Sequence, residues 1–167
     1  MKKFNNKGFT LIELLAVIVI LGVLMIIAIP MVSRYIKEAR QNAFIDTAKA
    51  YVSSARYAFL NSEYDCNLDS GTGGTRSVYI IFDNIEVDKT GGKSSFNKNI
   101  DTAKSYVKIT ADEDGKYTYS VAMRDAGNNG FDITAEEDLK RKSVVANITS
   151  IALPSATEAT ACSWQTE

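Results

Sequence analysis

The feature that most constrains this chain is a long apolar segment that follows a short basic stretch and carries one glutamate near its start. Residues 14–29 are all apolar or glycine, and the apolar character reaches Val32 through Pro30. A helix from Phe9 to Val32 would be about 36 Å long, enough to cross a bilayer core of about 30 Å. Glu13 lies inside this segment, where an unpaired carboxylate costs on the order of 3 kcal/mol. The segment therefore predicts a membrane-spanning helix whose acid has a functional partner.

The basic stretch before this segment differs from an ordinary secretory signal. Residues 1–8 contain three lysines and end in Gly8. A secretory signal places its apolar stretch before the cleavage site and loses it on processing. Here the apolar stretch follows Gly8, so cleavage after that glycine would leave Phe9 as the first residue and Glu13 as the fifth.

With these features the N-terminus resembles that of a type IV prepilin: a basic leader, Gly8, then Phe-Thr-Leu-Ile-Glu and a long apolar helix. The resemblance implies that a prepilin peptidase removes residues 1–8 and that Phe9 becomes N-methylated. It also implies that Glu13 pairs with the terminal amine of a neighbouring subunit during assembly. A desolvated acid and a desolvated amine each need the other, so this pairing would satisfy Glu13. The alternative is an ordinary membrane helix with a stray acid at its end, which leaves Gly8 and the leader unexplained.

The helical pattern continues beyond the membrane segment. Residues 31–61 contain neither glycine nor proline. Apolar side chains recur there at spacings of three and four, which places them on one helix face. The members of this stripe are Ile45, Ala48, Val52, Ala55 and Phe59. We therefore predict one helix from about Phe9 to about Asn61, with a membrane half at residues 9–32 and an amphipathic half at 33–61 that packs under a sheet.

Two residues interrupt the membrane half. Pro30 removes one backbone hydrogen bond and clashes with the carbonyl four residues back, so a kink or local unwinding is predicted near Ile26. Gly22 lowers the helix propensity about two turns earlier. The resemblance implies that the segment between Gly22 and Pro30 is unwound in related filaments, and a gentle kink is the alternative.

Residues 62–167 are predicted to form an extracytoplasmic β-rich region. The β-branched and aromatic segment 77–82 and the alternating segments 105–110 and 116–123 predict strands, with a hairpin turn at 112–115. Residues 125–132 are predicted as a loop, and residues 143–153 resume a β-like pattern. The expected fold is α+β, with the long N-terminal helix packed on an antiparallel meander of three or four strands. This is also the type IV pilin fold that the resemblance implies.

Two cysteines, Cys66 and Cys162, are separated by a long loop. In an oxidising compartment a disulfide between them would contribute about 4 to 5 kcal/mol in the chain-entropy model. Two free buried thiols are the alternative. A bridge from Cys66 would lie further from the C-terminus than is usual in the family that the chain resembles.

Nothing in the sequence predicts an enzyme or a cofactor. The chain has no histidine, so the commonest general base and metal ligand is missing. One weak calcium candidate combines Asp125, Asn129 and Glu136, which match the first, fifth and twelfth positions of a calcium-binding loop. A solvated turn is the favoured interpretation of this segment, and no metal is expected.

The charge balance and the resemblance together define the expected function. Loss of the three leader lysines takes the formal net charge from −1 to −4, so no direct nucleic-acid site is expected. The first interpretation is a major pilin, a homopolymer subunit that serves in adhesion, twitching motility or biofilm formation. The alternatives are a minor pilin, a pseudopilin of a type II secretion or DNA-uptake machine, and a monomeric membrane-anchored binding domain.

The resemblance also implies partners and a location. Besides the prepilin peptidase, the expected partners are a pilus assembly platform and a cytoplasmic ATPase. The precursor is expected to cross the cytoplasmic membrane once and then to enter an extracellular pilus on the cell surface.

Overall fold

One α-helix, α1, spans Leu11–Leu60 of the computed structural model, which describes residues 9–66, 76–87, 93–155 and 159–164. The helix ends in a left-handed turn at Ser62, whose φ is 58°. Glu63 N–H donates to the Ala58 carbonyl at 3.0 Å, and Ser62 N–H donates to the Phe59 carbonyl at 3.2 Å. These two bonds form a Schellman motif, which satisfies carbonyls that the helix end would otherwise leave unpaired.

The helix is continuous through Gly22 and Pro30, so the local unwinding predicted near Ile26 is not seen in this structure. Proline removes only its own donor to the carbonyl four residues back, and the backbone bonds of the flanking turns still hold. A Cβ added at Gly22 would meet open space, with nothing within 4 Å beyond the helix's own backbone and adjacent residues. The break between Gly22 and Pro30 stays a prediction for the assembled state.

The chain divides into two compact units, Met1–Ala39 and Arg40–Glu167. Within the described part of the first unit, the large apolar side chains are exposed, from Leu11 at 84 % to Val32 at 54 %. Among the described residues, α1 is the one helix that is long and apolar enough to span a membrane. An apolar surface on all sides of a helix is typical of a segment that lies in lipid or against other apolar helices.

The second unit contains the rest of α1 and, among its described residues, eight strands. The strands are β1 (Tyr64–Asp65), β2 (Arg76–Ile81), β3 (Tyr106–Ala111), β4 (Tyr117–Arg124), β5 (Asn129–Ala135), β6 (Val145–Ala146), β7 (Thr160–Ala161) and β8 (Ser163–Trp164). Six of them form one sheet in the order β6-β5-β4-β3-β2-β7, and β1 pairs with β8. The four longest strands, β2 to β5, form an antiparallel meander, while β7 runs parallel to β2. The predicted α+β fold with a helix and a meander is thus confirmed.

One face of the sheet shares a hydrophobic core with α1. The predicted stripe is buried at Ile45, Ala48, Val52 and Ala55, and Phe59 packs against the same cluster. Phe44 and Tyr51 widen the stripe beyond the prediction, because each finds an aromatic partner. Phe44 meets Phe131 edge-on at 6.0 Å between ring centroids, and Tyr51 stacks on Phe82 at 3.8 Å. A fully buried side chain of this size contributes about 1.5 to 3 kcal/mol relative to exposure.

The opposite face of the sheet is covered by an irregular segment, and this corrects the predicted β pattern at residues 143–153. Only Val145–Ala146 of that range is a strand. Asn147 has a φ of 69°, and this turn ends the pairing of β6 with β5. The chain then crosses the sheet, where Ile151 is buried against Tyr106 and Ala122. Arg124 holds the segment by donating to the Thr149 carbonyl.

The predicted loop at residues 125–132 is also shorter than expected. The turn occupies residues 125–128, and β5 begins at Asn129. Asn128 takes the left-handed position with a φ of 61°, and Asn128 N–H donates to the Asp125 carbonyl at 3.0 Å. Asparagine tolerates this conformation well, so the chain reverses early and Gly130 already lies in the strand.

A disulfide joins Cys66 to Cys162, with 4.6 Å between their Cα atoms. Each cysteine adjoins one strand of the β1–β8 pair, and Cys162 N–H donates to the Tyr79 carbonyl at 2.9 Å. The bridge therefore fastens the end of the chain to the segment that directly follows α1.

Candidate functional site

The start of α1 is organised by Thr10 and Glu13. Thr10 N–H and the Thr10 hydroxyl donate to Glu13 Oε2 at 2.9 and 2.8 Å. In return Glu13 N–H donates to Thr10 Oγ1 at 3.3 Å. Since α1 begins at Leu11, Thr10 is the N-cap and Glu13 the third helical residue, which makes this a capping box. The acid is therefore held at the helix N-terminus, where the helix dipole also favours a negative charge.

The two oxygens of the Glu13 carboxylate differ in their contacts. Both donors from Thr10 reach Oε2, so Oε1 takes no part in the capping box. The surrounding side chains are apolar and exposed, with Phe9 at 90 % and Ile12 at 69 %. Burial of this surface against lipid or other helices would leave the charge of Glu13 in need of a cation.

Thr10 is the residue of this site that sequence reasoning missed. The signal was present, because Thr-x-x-Glu directly before an apolar run is the sequence pattern of a capping box. The cost of an acid in an apolar segment drew attention to Glu13 alone, and this cost says nothing of the residue three positions before it.

Gly8 and the leader lie outside the described residues, so the proposed cleavage between Gly8 and Phe9 stays a prediction. The structure does place Phe9 directly before the N-cap, two residues before the start of the helix. Cleavage at that bond would put the new amine next to the capping box of the same chain.

The weak calcium candidate is not assembled. Asp125 is fully buried, and its carboxylate accepts hydrogen bonds from Ser94 Oγ at 2.6 Å, Gly127 N at 2.8 Å and Asn129 N at 2.9 Å. Glu136 follows the far end of β5 and forms an ion pair with Arg56. Within the described ranges, no group of three acids or cysteines could hold a metal ion. Asp125 is a loop organiser because hydrogen-bond donors already occupy the positions a cation would need.

The ion pair of Glu136 is part of a small cluster on the sheet. The Arg56 guanidinium lies over the Tyr119 ring, 4.3 Å from its centroid. Burial raises the pKa of Tyr119, and the positive charge of Arg56 partly offsets that rise. The cluster fastens α1 to the first half of β4, and Arg56 and Glu136 neutralise each other within it.

Comparison with known proteins agrees with the geometry of the N-terminus. Residues 3–29 match the family model described as the prokaryotic N-terminal methylation motif. Two proteins of Pseudomonas aeruginosa, both called fimbrial protein, are each 32 % identical to the chain over 109 residues, which covers 54 % of the chain and 71 % of the relative. This chain belongs to the type IV pilin family. No solved structure matches it.

The pilin family is structural, which agrees with a site made of a capping box and apolar side chains. The apolar half of α1 suits a membrane-anchored pilin precursor.

Proposed function

We propose that this pilin is the major structural subunit of a type IV pilus. A prepilin peptidase cleaves between Gly8 and Phe9, and Phe9 is N-methylated. Before assembly, the apolar half of α1 anchors the mature chain in the cytoplasmic membrane. With the help of an assembly platform and an ATPase, it then joins copies of itself in an extracellular filament that serves adhesion, twitching motility or biofilm formation.

The observation that carries this proposal is the half-occupied carboxylate of Glu13. Oε2 accepts both hydrogen bonds from Thr10, which hold the side chain in place. In the proposed filament, Oε1 accepts a hydrogen bond from an amine of a second copy. The amine of Phe9 in a second copy is a suitable partner because both groups lose water when the apolar helices pack together. A charge-assisted hydrogen bond between them would stabilise the charges that burial destabilises.

The relatives favour a surface filament over a pseudopilin of a secretion or DNA-uptake machine. Both are called fimbrial protein, and the chain covers more than two thirds of each. A minor pilin shares the same N-terminal chemistry, so abundance in the filament separates it from a major pilin.

The test of the assembly mechanism replaces Glu13 by Ala and by Gln in cells that otherwise assemble filaments. We expect processed chain in the membrane at the wild-type level and at least about a tenfold loss of filaments sheared from the cell surface, because removing one partner of a buried ion pair costs about 3 to 5 kcal/mol. Glu38→Ala is the matched control, since Glu38 lies on the same helix beyond the apolar segment and pairs with Arg34. Wild-type filament yield from Glu13→Ala would refute the role of the carboxylate.

Processing has a separate test. Gly8→Val should keep residues 1–8 attached, because the β-branched side chain blocks the bond that the peptidase must reach. Normal processing of this variant would show that Gly8 does not define the cleavage site.

A further inference from the structure

Two opposite ends of the second unit carry clusters of exposed charges of opposite sign. One end lies at the first residues of α1 in this unit. There Ser95 Oγ donates to the Arg40 carbonyl at 2.6 Å, and Gln41 Nε2 donates to the Val144 carbonyl at 3.1 Å. The other end lies where the Phe59 ring meets the Tyr117 ring edge-on, with 5.4 Å between the ring centroids. Eighteen residues of α1 separate Gln41 from Phe59, a distance of about 27 Å.

The end near Gln41 is basic. Two segments flank α1 there, residues 93–99 and residues 141–146, and neither contains an acid. The first is a tight turn in which Lys93 pairs with Asn99 and Ser94 N–H donates to the Lys98 carbonyl at 2.7 Å. The cations of this end are Arg40, Lys93, Lys98, Arg141 and Lys142. All except Arg141 are exposed, and Asp125, which lies beneath them, is fully buried and hydrogen-bonded.

The end near Phe59 is acidic. The turn between β3 and β4 presents three consecutive exposed acids, Asp112, Glu113 and Asp114. This turn is held by Lys116 N–H, which donates to Asp112 Oδ1 at 2.7 Å. Glu63 and Asp65 follow the end of α1, and Glu86 lines the same surface groove as Glu63. The described part of this end thus presents the six exposed acids named here, and two exposed cations, Arg76 and Lys116, lie beside them.

We infer that the basic end of one pilin docks on the acidic end of the next copy along the filament, so that charge sets the order of the second units. This inference rests on the proposed function, which supplies the polymer. A contact between two different surfaces of one protein is heterologous, and repeating it produces an open filament instead of a closed oligomer. Matching opposite charges also disfavours the reversed orientation, because like charges would then meet. The two ends are complementary on a single chain, which favours a second copy as the occupant.

A charge-swap experiment on the full chain tests the docking. The basic-end variant is Lys93→Glu with Lys98→Glu, and the acidic-end variant is Glu113→Lys with Asp114→Lys, which leaves the hydrogen bond from Lys116 N–H to Asp112 in place. Each variant alone places like charges at the contact, so we expect about a tenfold loss of sheared filament. A chain with all four substitutions carries opposite charges again, and its yield should recover to within about threefold of wild type. Asp132→Lys with Lys49→Glu, which reverses exposed charges that belong to neither end, should keep the wild-type yield.

The outcomes separate the docking from the proposed function. If the chain with all four substitutions assembles no better than the basic-end or acidic-end variant, the two ends do not meet. The basic end would then contact another partner, such as anionic lipid headgroups. If the pairs have no effect while Glu13→Ala still abolishes filaments, the docking is refuted and the polymer stands. Melting temperatures within about 3 °C of wild type are the required check that each variant folds.

A salt titration is a second test of the docking between the two ends. At 1 M salt the Debye length falls to about 3 Å, so repulsion between exposed like charges is screened. The two single-end variants should therefore regain filament stability when sheared pili are held in high salt, measured as polymer left in the pellet. Equal loss of polymer at 50 mM and 1 M salt would overturn the electrostatic account.

Discussion

The buried carboxylate of Asp125 gives the sharpest test of how the second unit is held together. Its donors come from the turn at residues 93–99 through Ser94, and from its own hairpin through Gly127 and Asn129. Asp125→Ala would remove the acceptor shared by all three. Asp125 is therefore expected to be a main link between the hairpin and the turn that carries two cations of the basic end.

The magnitude follows from the donors that would lose their acceptor. An unsatisfied buried donor costs about 1 to 3 kcal/mol. Ser94 is buried and Asn129 is half-buried, whereas Gly127 is exposed, so water can replace the acceptor at Gly127. We therefore expect Asp125→Ala to lower the free energy of unfolding by about 3 to 5 kcal/mol. For a unit of this size, that corresponds to a melting temperature lower by about 10 to 20 °C.

The assay is thermal unfolding of the full chain in detergent, followed by near-ultraviolet circular dichroism. Asp132→Ala is the control, because Asp132 is exposed and its carboxylate accepts from the adjacent Ile133 N–H, at 2.8 Å. Its melting temperature should change by less than about 2 °C. Asp125→Asn should fall between the two, since an amide keeps one acceptor oxygen. Equal melting temperatures for Asp125→Ala and Asp132→Ala would refute the reasoning.

Three further predictions concern the second unit. Replacing Cys66 and Cys162 by serine should lower the free energy of unfolding by about 2 to 5 kcal/mol in a denaturant titration, since the bridge closes a loop with a sequence separation of 96; a midpoint equal to that of the oxidised wild type would contradict the bridge. Burial, reinforced by Glu63 and Glu86, raises the pKa of Tyr64 to about 12. The unfolded chain releases that proton near pH 10 and the native state holds it longer, so stability should fall from pH 10 to 12, and Tyr64→Phe should flatten this slope in melting curves; an unchanged slope would count against it. Gly130→Ala should cost about 1 to 3 kcal/mol by thermal melting, because its Cβ would clash with the backbone of Met123 and Arg124. Gly127→Ala would meet only side chains and should lose less, and the reverse order would show that the backbone yields at Gly130.

Local sequence patterns predicted much of the fold. The apolar run and the alanine-rich stripe placed the helix within two residues of its observed bounds, Leu11–Leu60. The segments predicted at 77–82, 105–110 and 116–123 each lie within one residue of an observed strand. Alternation is reliable here because Val107, Ile109, Val121 and Met123 are all fully buried on one face.

The remaining elements depend on contacts that local patterns do not contain. β7 pairs with β2 across more than seventy residues, and no periodicity in two residues could indicate it. Asn128 and Asn147 adopt left-handed conformations. The first lets β5 begin earlier than predicted, and the second ends β6. The spacing around Asp125 suggested a calcium ligand because spacing alone does not show that Ser94, from a distant turn, fills its coordination space.

The candidate site was predicted in its chemistry but not in its geometry. Glu13 was recognised because an acid in an apolar run is costly, and this argument needs no structure. The capping box was missed because the cost of a buried acid points to Glu13 and says nothing of Thr10. One carboxylate oxygen orders the start of its own helix through Thr10, and the other is left, in the proposed filament, for the amine of a second copy.

Mass spectrometry of the filaments sheared from the cell surface tests the central claim most directly. We predict that this chain is the main protein of that fraction and that it begins at an N-methylated Phe9. A chain that still carries residues 1–8 in its working form would contradict both the cleavage after Gly8 and the pairing of Glu13 with a terminal amine.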